Sequence, residues 1–248
     1  MFIERAEMKR NAKMSLKGRW GFAIGAMVLY YVIEMVITLI AQSPFAETMA
    51  LYQYYDSQGI SYTPDMGVLI GNYIMTVVAL LIVSPIMVGW FGITLKISRN
   101  EEGKIRDLFY YIPHFFKVVG LYLLIFVKTF LWSLLLFVPG IIASLNYSQA
   151  YYILIQNPDI GIVEAIEESK RMMKGNKWRL FVLELSFIGW MLLMLCTFGL
   201  LGFWLIPYMS VTFANFHNAL LMEQGLNFRK EALPEVKNEV EIQTDDFE

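Results

Sequence analysis

Long apolar runs constrain this chain more than any other feature of its sequence. The runs lie at about 20–41, 67–95, 118–138, 140–156, 179–198 and 200–222. A helix needs roughly 20 mostly apolar residues to cross the hydrocarbon core of a bilayer. Hydrophobic residues make up 57% of the chain and charged residues only 17%, against roughly 45–50% and 25% in soluble domains. The sequence therefore predicts an all-α, polytopic membrane helix bundle with about six transmembrane helices.

The first run follows a basic segment, as the apolar region of a secretory signal peptide does. Such regions usually have about 7–15 residues, and the run that begins at Trp20 is longer. We therefore expect an uncleaved first span.

Short interruptions join the later runs in pairs. Pro139 and Gly140 separate the third run from the fourth, and a few residues around Gly199 and Gly202 separate the fifth from the sixth. Proline lacks an amide donor and glycine permits tight turns, so these two interruptions predict two tight helical hairpins. With the first two runs, the bundle is expected to have three hairpins. The helix breaks that we expect are Pro85, Pro139, Gly140, Gly175 and Pro207.

The distribution of Lys and Arg predicts the orientation in the membrane. Six of these residues lie within the segment that ends at Arg19, five in 96–117, five in 170–179 and three after 222. The segment 42–66 has none, and positive residues mark the cytoplasmic side of a membrane protein. We therefore expect both termini to be cytoplasmic, with residues 1–222 forming the membrane domain and residues 223–248 an acidic, disordered tail.

The stretch GIVEAIEESKRMMK (161–174) predicts an amphipathic helix at the cytoplasmic surface, because its apolar and charged residues lie on opposite helical faces. Gly175 can end this helix in a left-handed conformation. Tryptophan and basic residues anchor spans at the headgroup level. The interfacial anchors predicted here are Trp20, Lys174, Lys177, Trp178 and Arg179.

Two other cytoplasmic segments resemble this one. AKMSLKGRW (12–20) places Leu16, Lys17 and Gly18 where the first segment has Met173, Lys174 and Gly175. KIRDLFYYIPHFFK (104–117) places its apolar residues on one helical stripe, which predicts a third interfacial helix, kinked at Pro113.

Three stretches carry a family resemblance: LWSLLLFVPGIIASLNYSQAYYIL (131–154), NPDIGIVEAIEESKRMMKGNKWRLFVLELSFIGW (157–190) and LIPY (205–208). With them the chain resembles the bacterial integral-membrane family called domain of unknown function 975. The resemblance implies a multi-pass helical protein of the bacterial cytoplasmic membrane, and it implies no mechanism.

Three ionisable residues lie within the predicted spans: Glu34, Lys128 and Glu184. A charge at membrane depth costs at least about 2.5–3.5 kcal/mol, so it usually faces a partner or a wet cavity. With Asn146 these residues are a candidate intramembrane polar site for a solute or a proton. A structural ion pair between Lys128 and a carboxylate remains the alternative.

Enzymatic chemistry has little support in the sequence. EEGKIR (101–106) and FANFH (213–217) match two elements of CPBP-type intramembrane proteases, and the third element is missing. Two histidines and the single Cys196 make a metal site improbable, and no phosphate-binding or dinucleotide motif is present. We expect no cofactor, no metal and no nucleic acid partner.

Two classes of function therefore stay open. The first is a non-enzymatic membrane protein that organises or modulates other membrane components, with the lipid bilayer, its anionic headgroups and another membrane protein as partners. The second is a transporter of a small solute or a lipid, in which Lys128 and Glu184 would form part of the site.

Overall fold

The computed structural model describes residues 4–223 and 225 and contains no strand over this range. Eleven α-helices follow one another along these residues. They are α1 Arg5–Leu16, α2 Trp20–Gln42, α3 Ala46–Ser57, α4 Met66–Ser98, α5 Phe115–Leu135, α6 Phe137–Tyr147, α7 Ala150–Gln156, α8 Ile162–Met173, α9 Lys177–Leu185, α10 Ile188–Cys196 and α11 Gly202–Glu223. The predicted all-α fold is confirmed. The acidic tail predicted over 223–248 lies outside the described residues, apart from positions 223 and 225.

Four helical stretches are long and apolar enough to cross a membrane: Trp20–Ser57, Met66–Ser98, Ile105–Leu135 and Lys177–Cys196. They contain the predicted spans 20–41, 67–95 and 179–198 almost entirely, and most of 118–138. The run 140–156 is divided between α6 and α7, and the run 200–222 forms α11. The chain therefore has the helices of a membrane protein, and the number of six spans stays a prediction.

The bundle is built around α4, which packs against α2, α5, α7 and α11. One apolar core surrounds α8 and includes Phe187 and Phe216, both almost fully buried. A second core joins α1, α2 and α4 around Trp90 and Leu108. The long helix α4 thus contributes to both cores.

The turn between α5 and α6 is not where the sequence placed it. The chain reverses at Leu136, and Pro139 and Gly140 lie in the first turn of α6. A Cβ atom at Gly140 would lie 2.2 Å from Ser133 Oγ and 3.0 Å from Ser133 Cα on α5. The glycine therefore permits close packing of the two helices rather than the turn itself.

Two of the predicted breaks, Pro85 and Pro207, lie inside helices that continue through them, α4 and α11. A proline leaves the carbonyl four residues earlier without its amide partner. At Pro85 this carbonyl belongs to Leu81, and the hydroxyl of Ser84 donates a hydrogen bond to it at 2.8 Å. The polar group is satisfied locally, so the helix does not end.

The predicted interfacial helix over 104–117 is also wrong. The segment forms two short 3-10 turns, Ile105–Phe109 and Ile112–His114. The carboxylate of Asp107 accepts from the Lys104 amide at 2.8 Å and from Lys96 Nζ at 2.8 Å, which fixes the first turn against the end of α4. The segment 42–66, which connects the first two predicted spans, contains the exposed helix α3.

Candidate functional site

Helices α1 and α8 are two copies of one structural unit. Both have 12 residues, and their bounds, Arg5–Leu16 and Ile162–Met173, are displaced by 157 residues along the chain. The buried residues of α1 are Met8, Ala12, Ser15 and Leu16, and the same displacement gives Ala165, Ser169, Met172 and Met173, all buried in α8. The repeat that the sequence suggested between these segments therefore extends to the buried face of each helix.

The two helices end in the same turn. Lys17 has φ −60° and ψ 124°, and Gly18 has φ 78°; Lys174 has φ −65° and ψ 117°, and Gly175 has φ 83°. These are the angles of a type II turn, which favours glycine at its third position. The closing hydrogen bonds run from the Arg19 amide to Leu16 O at 2.9 Å and from the Asn176 amide to Met173 O at 3.1 Å. Gly175 thus has the left-handed conformation that the sequence predicted.

Helix α8 packs against the interruption between α6 and α7 and satisfies backbone groups that are left unpaired there. The hydroxyl of Ser169 donates to Asn146 O at 2.7 Å and accepts from the Gln149 amide at 3.1 Å. Both backbone groups lie where the helical hydrogen-bond ladder is broken, and Ser169 is fully buried. One hydroxyl therefore satisfies a donor and an acceptor that would otherwise be buried without partners.

A buried polar group lies beside this interruption. Gln149 Nε2 donates to Ser148 Oγ at 2.8 Å, so its Oε1 is the acceptor that faces His217 Nδ1 at 3.0 Å. The imidazole stacks on the ring of Tyr152, with centroids 4.9 Å apart. His217 Nε2 is buried and has no hydrogen-bond partner among the described residues.

Helix α1 lies on a second interruption, between α9 and α10. Lys9 Nζ donates to Ser186 O at 3.1 Å and sits 3.9 Å from the centre of the Phe187 ring. Burial, with the positive charges of Arg5 and Lys13, holds the pKa of Lys9 below its ordinary value. Helix α1 packs mainly against α11 and α4 and reaches this interruption through Lys9, whereas α8 packs directly on the interruption between α6 and α7.

A cleft of about 600 Å³ lies between α1 and the segment that runs from Gly175 into α9. Arg5 and Glu4 border it on the α1 side, and Trp178 and Arg179 on the α9 side. Arg179 forms a bidentate ion pair with Glu223, with N–O distances of 2.7 and 2.9 Å. The apolar walls are Met8, Val182, Leu183 and Phe216.

The predicted anchors lie around this cleft and at the start of α2. Trp178 is 70% exposed and Lys174 is exposed, while Trp20, Lys177 and Arg179 are half-buried. Their depth in a bilayer stays a prediction.

The predicted intramembrane residues lie on four different helices, α2, α5, α6 and α9. Glu34 lies beside Tyr30 and Tyr31 on α2 and is half-buried, and Glu184 is exposed on α9. Lys128 and Asn146 are half-buried on α5 and α6. Within the described range, no ion pair links Lys128 to either carboxylate.

The carboxylate that lies near Lys128 is Glu167, a neighbour that the sequence did not suggest. A hydrogen bond from Lys170, with the charges of Lys170 and Lys128, holds the pKa of the exposed Glu167 below its ordinary value. Glu167 lies on α8, which the sequence assigned to the membrane surface rather than to the side of α5. A second cleft, of about 410 Å³, includes Asn146, Trp132 and Lys170, and neither Lys128 nor Glu184 lines it.

The residues of the two protease-like elements lie in different environments. Glu101 and Glu102 are exposed after the end of α4, whereas His217 is fully buried against Gln149. Between residues 4 and 223, no group of three or more His, Cys, Asp or Glu side chains is arranged to hold a metal ion.

Comparison with known proteins shows one relationship. No curated protein and no solved structure matches the chain. A family model described as "Protein of unknown function (DUF975)" matches residues 1–143 and 134–224, which together contain both amphipathic units and all the described helices. The chain therefore belongs to the DUF975 family.

Proposed function

We propose that this chain is a non-enzymatic, multi-pass protein of the bacterial cytoplasmic membrane that organises or modulates other membrane components. One observation carries the proposal. The apolar faces of α1 and α8 are occupied by the bundle, so the faces left for other molecules are the charged ones. The distribution of Lys and Arg predicts that these faces, and both termini, are on the cytoplasmic side.

The charged faces carry both signs. Their exposed residues are Arg5, Glu7, Arg10 and Lys13 on α1, and Glu164, Glu167 and Arg171 on α8. On α8, Arg171 pairs with Glu168, and Lys170 pairs with Glu167 at 2.7 Å, so part of the α8 face is ordered before a partner binds. Alternating charges of this kind suit a protein partner of complementary pattern. The basic residues near the two turns can attract anionic lipid headgroups. We propose no cofactor.

Affinity purification of the intact complex from membranes tests this proposal. We expect a membrane protein to co-purify with the wild-type chain and to be lost from the triple variant Glu164→Gln, Glu167→Gln and Arg171→Gln. The matched control, Glu47→Gln with Asp56→Asn, changes two residues of α3 on the side predicted to be external. Equal recovery of the partner with both variants would contradict a role for the α8 face.

A transporter of a small solute or lipid is the second candidate, and one observation favours it. Interrupted helices that meet a buried polar group are typical of transport sites, and the group formed by Gln149 and His217 lies at such an interruption. Solute flux into liposomes that contain the purified chain tests this candidate. We expect no flux across a broad panel, and flux that His217→Phe abolishes would establish transport instead.

A further inference from the structure

The cleft between α1 and α9 combines features that fit one membrane phospholipid. Its inner walls are apolar, formed by Met8, Val182, Leu183 and Phe216. Its volume of about 600 Å³ lies within the range of about 300–1,000 Å³ that is usual for small-molecule sites. Trp178, 70% exposed, lies at the border, where an amphipathic ring suits the headgroup level of a bilayer. An acyl chain can therefore contact the walls while the headgroup stays at the border.

The border of the cleft carries opposite charges on adjacent residues. Arg5 begins α1, and Glu4 is its N-cap residue, whose side chain makes no capping hydrogen bond. Neither side chain has an ion-pair partner in the part of the chain that the structure describes. Arg179, in contrast, is already held by Glu223. The cleft thus offers one guanidinium and one carboxylate to a ligand that has a phosphate and a cation close together.

We propose that this cleft binds a zwitterionic phospholipid with a primary ammonium group, its phosphate on Arg5 and its ammonium on Glu4. A guanidinium can donate two parallel hydrogen bonds to phosphate oxygens. A primary ammonium can donate to a carboxylate, whereas the quaternary ammonium of a choline lipid has no N–H to donate. An ethanolamine lipid is therefore favoured over a choline lipid, and over a glycerol lipid that lacks the cation. The inference rests on the proposed membrane location of α1 and α9.

The experiment is lipid retention by the purified full-length chain, measured by native mass spectrometry. Phosphatidylethanolamine, phosphatidylglycerol and phosphatidylcholine with identical acyl chains are titrated separately. The wild-type chain should retain the ethanolamine lipid best. Arg5→Gln should weaken retention of all three lipids by about tenfold, because each carries the phosphate that would lose its charge-assisted hydrogen bonds to the guanidinium. Glu4→Gln should remove only the preference for the ethanolamine lipid.

Arg10→Gln is the matched control, because Arg10 is exposed on the same helix and does not line the cleft. Equal weakening by Arg5→Gln and Arg10→Gln would show attraction by surface charge alone and would overturn the site. Equal retention of all three lipids would overturn the headgroup assignment. Displacement of the lipid by a peptide of residues 231–248 would assign the cleft to the acidic tail instead. None of these results depends on a protein partner, so the proposed function is tested separately by co-purification.

Discussion

Gly89→Ala should weaken the attachment of the Ile105–Phe109 turn to α4. A Cβ atom at Gly89 would lie 2.1 Å from Leu108 O and 2.7 Å from Leu108 Cα, whereas ordinary contacts begin near 3.5 Å. The obstructing atoms belong to the backbone, so the turn must move by about 1 Å or more. Leu108 is fully buried and would lose contacts as the turn moves.

The magnitude follows from two opposing effects. The cost lies near 1–3 kcal/mol whether it is taken as overpacking or, after the turn has moved, as partial loss of the burial of a leucine, which is worth about 1.5–3 kcal/mol in full. Alanine recovers up to about 1 kcal/mol through its higher helix propensity. We expect a net loss of about 2 kcal/mol, which lowers the thermal midpoint by about 4–8 °C for a chain of this size.

Thermal unfolding of the purified chain, with hydrogen exchange of the amides of 104–109, provides the assay. Gly25→Ala is the matched control, because a Cβ atom there has no heavy atom within 4 Å. That variant should be as stable as the wild type or slightly more stable. A Gly89→Ala chain with an unchanged midpoint and unchanged exchange over 104–109 would refute the packing that we describe.

Three further predictions concern the repeated unit and its contacts. Ser169→Ala should lower the free energy of unfolding by about 1–3 kcal/mol, because it leaves Asn146 O and the Gln149 amide unsatisfied. The control Ser144→Ala loses only a hydrogen bond to Ile141 O in its own turn and should change this free energy little. Chemical denaturation compares the two variants, and equal effects would contradict the bridging role of Ser169. Gly18→Ala and Gly175→Ala should each destabilise the chain by about 1 kcal/mol, because both glycines have positive φ. Thermal unfolding measures both variants, and a loss of stability in only one of them would contradict the equivalence of the units. Since the pKa of Lys9 is lowered in the folded chain, the unfolded chain binds the proton more tightly, and stability should rise with pH from that lowered pKa up to about 10.4. Thermal midpoints measured at several alkaline pH values should rise less for Lys9→Met than for the control Lys174→Met. Identical pH profiles of the two variants would contradict the burial of Lys9.

The sequence predicted the helical class and the unit around Gly175 because both depend on local signals. Apolar run length defines helices that can cross a membrane, and a lysine followed by a glycine at a helix end defines the turn. The displacement of 157 residues between the two units is visible in the sequence at a few positions, such as Lys13, Lys17 and Gly18 and their counterparts. The matching burial of the two helices required the structure.

The sequence could not predict the interruptions at Ser148–Gln149 and Ser186–Phe187. Neither pair contains proline or glycine, and each interruption is stabilised by a side chain that is distant in sequence, Ser169 or Lys9. Conversely, Pro85 and Pro207, which suggested breaks, lie inside continuous helices. At Pro85 a local hydrogen bond satisfies the carbonyl that the proline leaves free. The proximity of Lys128 to Glu167 was missed for a similar reason, because it depends on how α8 packs beside α5.

Labelling of single cysteines in intact cells tests most directly whether the charged face of α8 is cytoplasmic. In a background with Cys196→Ala, one chain carries Glu164→Cys on α8 and another carries Gln58→Cys after α3, both at exposed positions. A membrane-impermeant maleimide should label the cysteine at 58 in intact cells and the cysteine at 164 only after the membrane is permeabilised. Equally rapid labelling of both in intact cells would place α8 outside and contradict the proposed function.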